Sequence, residues 1–242
     1  MAVQAIIGWA PFLVALTLVE PKIERMQKKE HWKNTKSVFN HIFKGDKDLF
    51  IIFANNVAWG LATYVAVWTI QKHWQLSDIP LAWFGILWAG YNITVGIVGK
   101  LTPYLEERFG AEPLLYAIGL LPIIGFLSLG WLHNYAGIIF GLSFSISRGL
   151  NSVLLKDAFN WRVPAKMRAT ANSVQSLVFR LGFAILGPLV GIGLDQYGFQ
   201  FTFSILALFY GGVFTVLMIP FIQSLNKQTS DTAAVALHSS AL

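Results

Sequence analysis

The chain has 242 residues, of which 55% are hydrophobic and only 12% charged, with a formal net charge of +6 and no cysteine. A charged share about half that of an ordinary globular domain points away from a water-soluble fold, and the missing cysteines exclude disulfides, thiolate metal ligands and Cys nucleophiles. The positive charge is dispersed over several short connections instead of one patch, which argues against a nucleic-acid surface.

A bilayer core needs about 20 apolar helical residues to cross it. Runs of that kind occupy Ala2 to Val19, Leu49 to Ile70, Leu81 to Gly99, Pro113 to Leu132, Ala136 to Leu155, Ala169 to Leu194 and Phe199 to Ile222. Strand-type alternation is absent from them, and helices satisfy their own backbone groups in lipid. The expectation is an all-α integral membrane protein with seven transmembrane helices, arranged as a first span (1–19), a cytoplasmic basic loop (20–48), a six-helix block (49–223) and a disordered cytoplasmic tail (224–242).

The first span lacks the basic start of a signal peptide and leads straight into a loop holding Lys22, Arg25, Lys28, Lys29, Lys33, Lys36, Lys44 and Lys47. Within that loop Val38, Phe39, Ile42 and Phe43 recur at helical spacing, which predicts an amphipathic helix on the membrane surface. The connection after the third span carries Lys100 and Arg108, and the one after the fifth carries Lys156, Arg162, Lys166 and Arg168, whereas the alternate connections hold only Lys72. The positive-inside rule then predicts that the basic connections and the carboxyl terminus are cytoplasmic and the amino terminus outside. Trp68, Trp74, Trp83 and Trp131 fall near the outer boundaries and Trp161 near an inner one, as an aromatic belt would.

Polar residues inside the spans form helical stripes. Asn55, Trp59 and Thr63 stand at i, i+4, i+8 in the second span; Gly141, Ser145, Arg148 and Ser152 follow one another in the fifth; Asn172, Ser176 and Arg180 do so in the sixth. Arg180 lies near mid-span, where a cation costs about 2.5 to 3.5 kcal/mol even on lenient insertion scales. No Asp or Glu lies inside any predicted span, so its partner is a carbonyl or water, a carboxylate on another polypeptide, or an anionic substrate. Arg148 is nearer the cytoplasmic end and can snorkel, which reads as a structural role. Asn55 and Asn56 can meet a polar solute or bond between helices, and Tyr91 and Asn92 share that ambiguity. The histidines all lie in connections or the tail, with no metal-ligand spacing, so neither an enzyme nor a metal or cofactor site is expected.

The six-span block reads as two triplets. Gly96 to Gly99, Lys100, Leu101 and then Arg108-Phe109-Gly110 follow the second helix of the first triplet; Gly191, Gly193, Leu194, Asp195 and then Tyr197-Gly198 follow that of the second. Both read Gly-x-Leu, charged residues, aromatic-Gly, and one lies inside while the other lies outside, as an inverted repeat requires. With the long basic loop, the stretch Pro164-Ala165-Lys166-Met167-Arg168-Ala169-Thr170-Ala171-Asn172-Ser173 and the run Gly187-Pro188-Leu189-Val190-Gly191, the chain resembles the carboxyl-terminal half of a major facilitator superfamily transporter, helices six to twelve. An Asp common in the family's loop signature is replaced here by Thr102 or Pro103.

The resemblance implies an integral plasma (inner) membrane carrier of a small solute, working by alternating access beside an amino-terminal half. It makes Arg180, Asn55, Asn56, Trp59, Tyr91, Asn92, Ser145, Arg148 and Ser176 candidates for the substrate cavity, and Gly99, Arg108 and Gly110 for a gating loop. The alternative is a truncated or split membrane subunit or scaffold that does not transport without a partner half.

Overall fold

A computed structural model describes Trp9 and residues 11–18, 35–132 and 134–227. Most of the predicted first span, the basic stretch 19–34 and the tail beyond Lys227 lie outside the described residues. The chain divides into two units, Met1–Thr35 and Lys36–Leu242. In the first, a short helix α1 covers 11–16, with Trp9 edge-on to Phe12 and Phe12, Leu13, Val14 and Leu16 exposed.

The second unit is almost wholly helical and has no strand among the described residues. It begins inside a short helix α2 (35–40), which runs into a π-helical turn, His41–Gly45. Then come α3 (Lys47–Leu76), α4 (Phe84–Phe109), α5 (Ala111–Trp131), α6 (Ala136–Arg162) and α7 (Arg168–Val213), the last continuing through a π turn, Phe214–Met218, to Lys227. Five helical stretches are long and apolar enough to cross a membrane, so the protein is membrane-embedded. The last of these is two arms, because Gly198 breaks α7 with φ 77° and ψ 179°.

Several helices outrun their predicted apolar cores. The α4 helix continues through Phe109, so the expected loop from Lys100 to Glu112 reduces to the single residue Gly110 between α4 and α5. Hydropathy marks where lipid contact should stop, not where backbone hydrogen bonding stops, and charged residues are good helix formers in water. Residues 224–227 are likewise helical, although placed in the tail by composition.

The α2 segment is helical as its spacing predicts, but its stripe is not left to lipid. Val38 and Ile42 are buried in the same core as Leu49, Ile52 and Phe53, while Phe43 packs on Phe39, Phe50 and Phe53. Asp46 caps α3, its Oδ1 accepting from the Asp48 amide at 2.9 Å.

The α6 helix is the hub, packing on α3, α4 and α5, while α7 packs on α3 and α5. Small residues permit these approaches. A side chain at Gly149 would meet Val98 and the Val95 carbonyl of α4, and one at Gly125 would collide with Phe144 of α6. Ser147 donates to the Ile118 carbonyl at 2.7 Å, tying α6 to α5. An aromatic core of Trp59, Phe126, Phe203, Tyr210 and Phe214 joins α3, α5 and the second arm of α7.

The backbone signature occurs twice. Pro80 precedes a 3-10 turn (Leu81–Trp83) that opens α4, which ends at Gly110 with φ 79° and ψ 170°. Pro164 precedes a 3-10 turn (Ala165–Met167) that opens α7, whose first arm ends at Gly198 with nearly the same angles. Both glycines occupy a region essentially closed to other residues. The succession thus runs once from Pro80 to Gly110 and once from Pro164 to Gly198.

The aromatic residues near the boundaries separate into two groups. Trp68, Trp83, Trp131 and Trp161 are exposed. Trp74 departs from the belt: it is fully buried against Phe84, Trp88 and Tyr91 of α4.

Candidate functional site, a polar cavity between three helices

Two contacts define the ends of the bundle. Arg162 at the end of α6 approaches Asp46 and Asp48 at the start of α3, at 3.7 and 3.4 Å. Lys72 near the end of α3 pairs with Asp195 near the end of α7's first arm at 2.7 Å. The first arm of α7 therefore runs parallel to α3 and antiparallel to α6. The first contact marks the basic end, where Lys156, Lys166 and Arg168 also lie.

A cavity of about 580 Å³ opens between these three helices, a size in the range of small-solute sites. The α3 helix contributes Asn56, Gly60, Thr63 and Tyr64; α6 contributes Arg148, Asn151, Ser152 and Lys156; α7 contributes Asn172, Gln175, Ser176 and Phe179. Each set repeats at three or four residues, so each is one helix face.

Several of these side chains are held in place. The Asn172 amide donates to Asn160 Oδ1 at 2.8 Å and to the Arg168 carbonyl at 2.9 Å. Asn151 Nδ2 donates to the Asn56 carbonyl across the α3–α6 contact at 3.3 Å. Asn151 Oδ1 and Gln175 Nε2 are buried and have no hydrogen-bond partner among the described residues.

An aromatic layer closes the cavity away from the basic end. Tyr64 meets Phe179 and Phe183 edge-on, with centroids 5.2 and 4.6 Å apart, and Trp68 lies 6.1 Å from Phe183. Beyond it is a second cavity of about 380 Å³ whose rim includes the Lys72–Asp195 pair. A small pocket on the other side of Arg148, between α3, α4 and α6, is lined by Tyr91, Asn92 and Ser145.

The sequence candidates thus separate. Asn56, Arg148 and Ser176 line the main cavity, and Arg148 also borders the small pocket with Tyr91, Asn92 and Ser145. Tyr91 donates to the Ile138 carbonyl at 2.8 Å and Asn92 to the Trp88 carbonyl of its own helix.

Asn55 and Trp59 are placed elsewhere. Trp59 Nε1 donates to Asn55 Oδ1 at 3.1 Å, and Asn55 Nδ2 donates to the carbonyls of Ile51 and Leu217, all in the packed core. Of the predicted stripe only Thr63 reaches the cavity; the rest of the α3 face there is one residue further on, through Asn56, Gly60 and Tyr64. One residue turns a helix by about 100°, and the face holding Asn55 is taken by the second arm of α7.

Arg180 does not border the cavity. It is exposed, with Nε 3.4 Å from the Ser176 hydroxyl and no ion pair among the described residues. Of the gating-loop candidates, Gly99 sits within α4 against Gly149 and Val153 of α6. Arg108 donates to the Tyr104 hydroxyl at 3.0 Å and lies over Phe109, and Gly110 is the joint.

Lys156, Asn151 and Gln175 are among the cavity residues that sequence reasoning missed, with Gly60, Tyr64 and Phe179. Lys156 continues the Arg148–Ser152 spacing by one turn, a signal hidden by ending the span at Leu155. No family model, curated protein or solved structure matches this chain.

Proposed function

We propose that this chain is a solute-translocating bundle of the major facilitator type, built from two inverted three-helix repeats and operating by alternating access. The observation that carries the reading is the polar cavity between α3, α6 and α7, set in an otherwise apolar bundle and separated by an aromatic layer from a second cavity at the opposite end. The twice-used succession of proline, 3-10 turn, helix and positive-φ glycine supports the repeat, and carriers place their sites where such repeats meet. With the basic end in the cytoplasm, as the positive-inside rule requires, the described conformation has its main cavity on the cytoplasmic side. The aromatic layer and the Lys72–Asp195 pair then form the outer closure.

Cysteine accessibility tests this directly, because the chain has no cysteine of its own. In sealed vesicles of both orientations, Ser152→Cys in the cavity should react with an impermeant maleimide from either side, at rates that solute changes in opposite directions. Reaction from one side only, with every candidate solute, would remove the transport reading.

A second reading, a subunit that transports only beside another bundle, is favoured by α4. Ile86, Ile93 and Ile97 are exposed along it, and only Phe84, Tyr91 and Thr102 of the helix are buried. On that reading the purified chain binds solute without catalysing exchange. Robust counterflow by a chain that cross-linking shows to be monomeric would exclude it.

A further inference from the structure

The cavity's charge is one-sided. Arg148 and Lys156 line it together with amides and hydroxyls, and no Asp or Glu is among its described lining residues. Neither cation has a hydrogen bond or ion pair with any described residue. The nearest carboxylate in sequence, Asp157, lines a different pocket with Glu106 and Arg162. Arg180, one turn beyond the lining residue Ser176, adds a third positive charge nearby.

The two cations are spaced along the cavity's length. They stand eight residues apart on one face of α6, about 12 Å at 1.5 Å per residue, with Ser152 between them. Lys156 is toward the basic end. Arg148 lies about 18 Å into the helix from Ala136, level with Gly60 and the aromatic layer's Tyr64, all of which border the same space. A guanidinium there presents a planar fork suited to carboxylate or phosphate oxygens, whereas an ammonium acts as a point charge. Gln175 lines the same space from the facing helix.

We infer that this cavity selects a small organic anion, a solute carrying a carboxylate or phosphate group, with Arg148 as its principal ligand and Lys156 drawing it in from the basic end. The inference rests on the solute-binding reading of the same cavity and names the substrate class. Cations are repelled by this lining, and a carboxylate or phosphate is attracted to it.

Thermal unfolding of the full chain in lipid nanodiscs tests it, at constant ionic strength, against succinate and citrate, inorganic phosphate and glycerol phosphate, glucose, and choline. Stabilisation by a member of the carboxylate or phosphate arm, and not by glucose or choline, is the expected result, and the responding arm identifies the group. Arg148→Gln should weaken that binding about tenfold or more, in line with loss of a charge-assisted bond. Arg148→Lys should fall between Gln and the parent, and provides a folded comparison if the Gln variant is unstable. Lys156→Gln should weaken binding by about threefold at low salt and less at high salt, as expected of a steering charge.

Preference for glucose or choline, no response to any anion, or undiminished anion binding by a folded Arg148→Gln protein would overturn the inference. These outcomes are separable from failure of the transport reading. Anion binding with one-sided labelling of Ser152→Cys keeps the ligand class and loses transport; two-sided labelling modulated by glucose does the reverse.

Discussion

At the scale of single residues, position distinguishes side chains that sequence made look alike. Arg148 and Arg180 are both exposed cations inside apolar runs, but only Arg148 borders the cavity, while Arg180 has one 3.4 Å contact with Ser176. Arg180→Gln orphans no buried group, so folded yield should be retained and stability should change by no more than about 0.5 kcal/mol. Anion affinity should fall far less than in Arg148→Gln. Thermal melts and ligand titrations on the two variants check both points. A loss of affinity equal to that of Arg148→Gln would return Arg180 to the site.

The glycines give a second residue-level test. Alanine at Gly110 or Gly198 must adopt φ near +78°, midway between the two observed values, in a region that costs of order 1–3 kcal/mol for other residues. Alanine at Gly96, where the added methyl meets nothing within 4 Å, should instead be neutral or stabilising by up to about 1 kcal/mol through helix propensity. Melting temperatures in one detergent would compare all three. Equal destabilisation would contradict the assigned joints.

At the scale of elements, the ends of the helices carry the conformational argument. The Lys72–Asp195 pair joins α3 to the first arm of α7 and is well exposed, so it contributes no more than about 1 kcal/mol. That is enough to shift an equilibrium between two conformations about fivefold. Lys72→Ala should therefore raise the rate at which Ser176→Cys is labelled from the outer side, with little change in melting temperature. Restoration by the charge swap Lys72→Asp with Asp195→Lys would show that the pair itself acts, and an unchanged rate would remove it from the closure.

At the opposite end, Asp46 caps α3 and also faces Arg162. Asp46→Ala should lower stability by about 1 kcal/mol through the lost cap, read as a fall in melting temperature larger than that of Lys72→Ala.

At the scale of the whole molecule, the positive-inside argument predicts which end faces the cytoplasm. Trp161 and Asp195 are well exposed at opposite ends. In intact cells Asp195→Cys should be labelled by an impermeant reagent, and Trp161→Cys only after permeabilisation. The reverse pattern would invert the topology and move the main cavity to the outer side.

What the sequence determined by itself was set by composition and local backbone chemistry. Long apolar runs with charge confined to their flanks require helices in lipid, and aromatic-Gly pairs after charged turns marked the joints at Gly110 and Gly198. The stripe Arg148–Ser152 and the pair Asn172–Ser176 were also legible, because helical spacing alone puts such residues on one face.

Only the tertiary structure decided which faces meet. It turned Asn55 and Trp59 into the core and Asn56 into the cavity, since that choice depends on where the second arm of α7 packs and not on periodicity. It buried Trp74 and tied Val38 and Ile42 to the bundle, because hydrophobicity does not distinguish lipid from protein as the apolar neighbour. It also decided that the face of α6 shared by Arg148, Ser152 and Lys156 opens on the cavity, while Asp157 lines another pocket. A one-residue step rotates a helical side chain by about 100°, and the neighbouring helices determine what each direction meets.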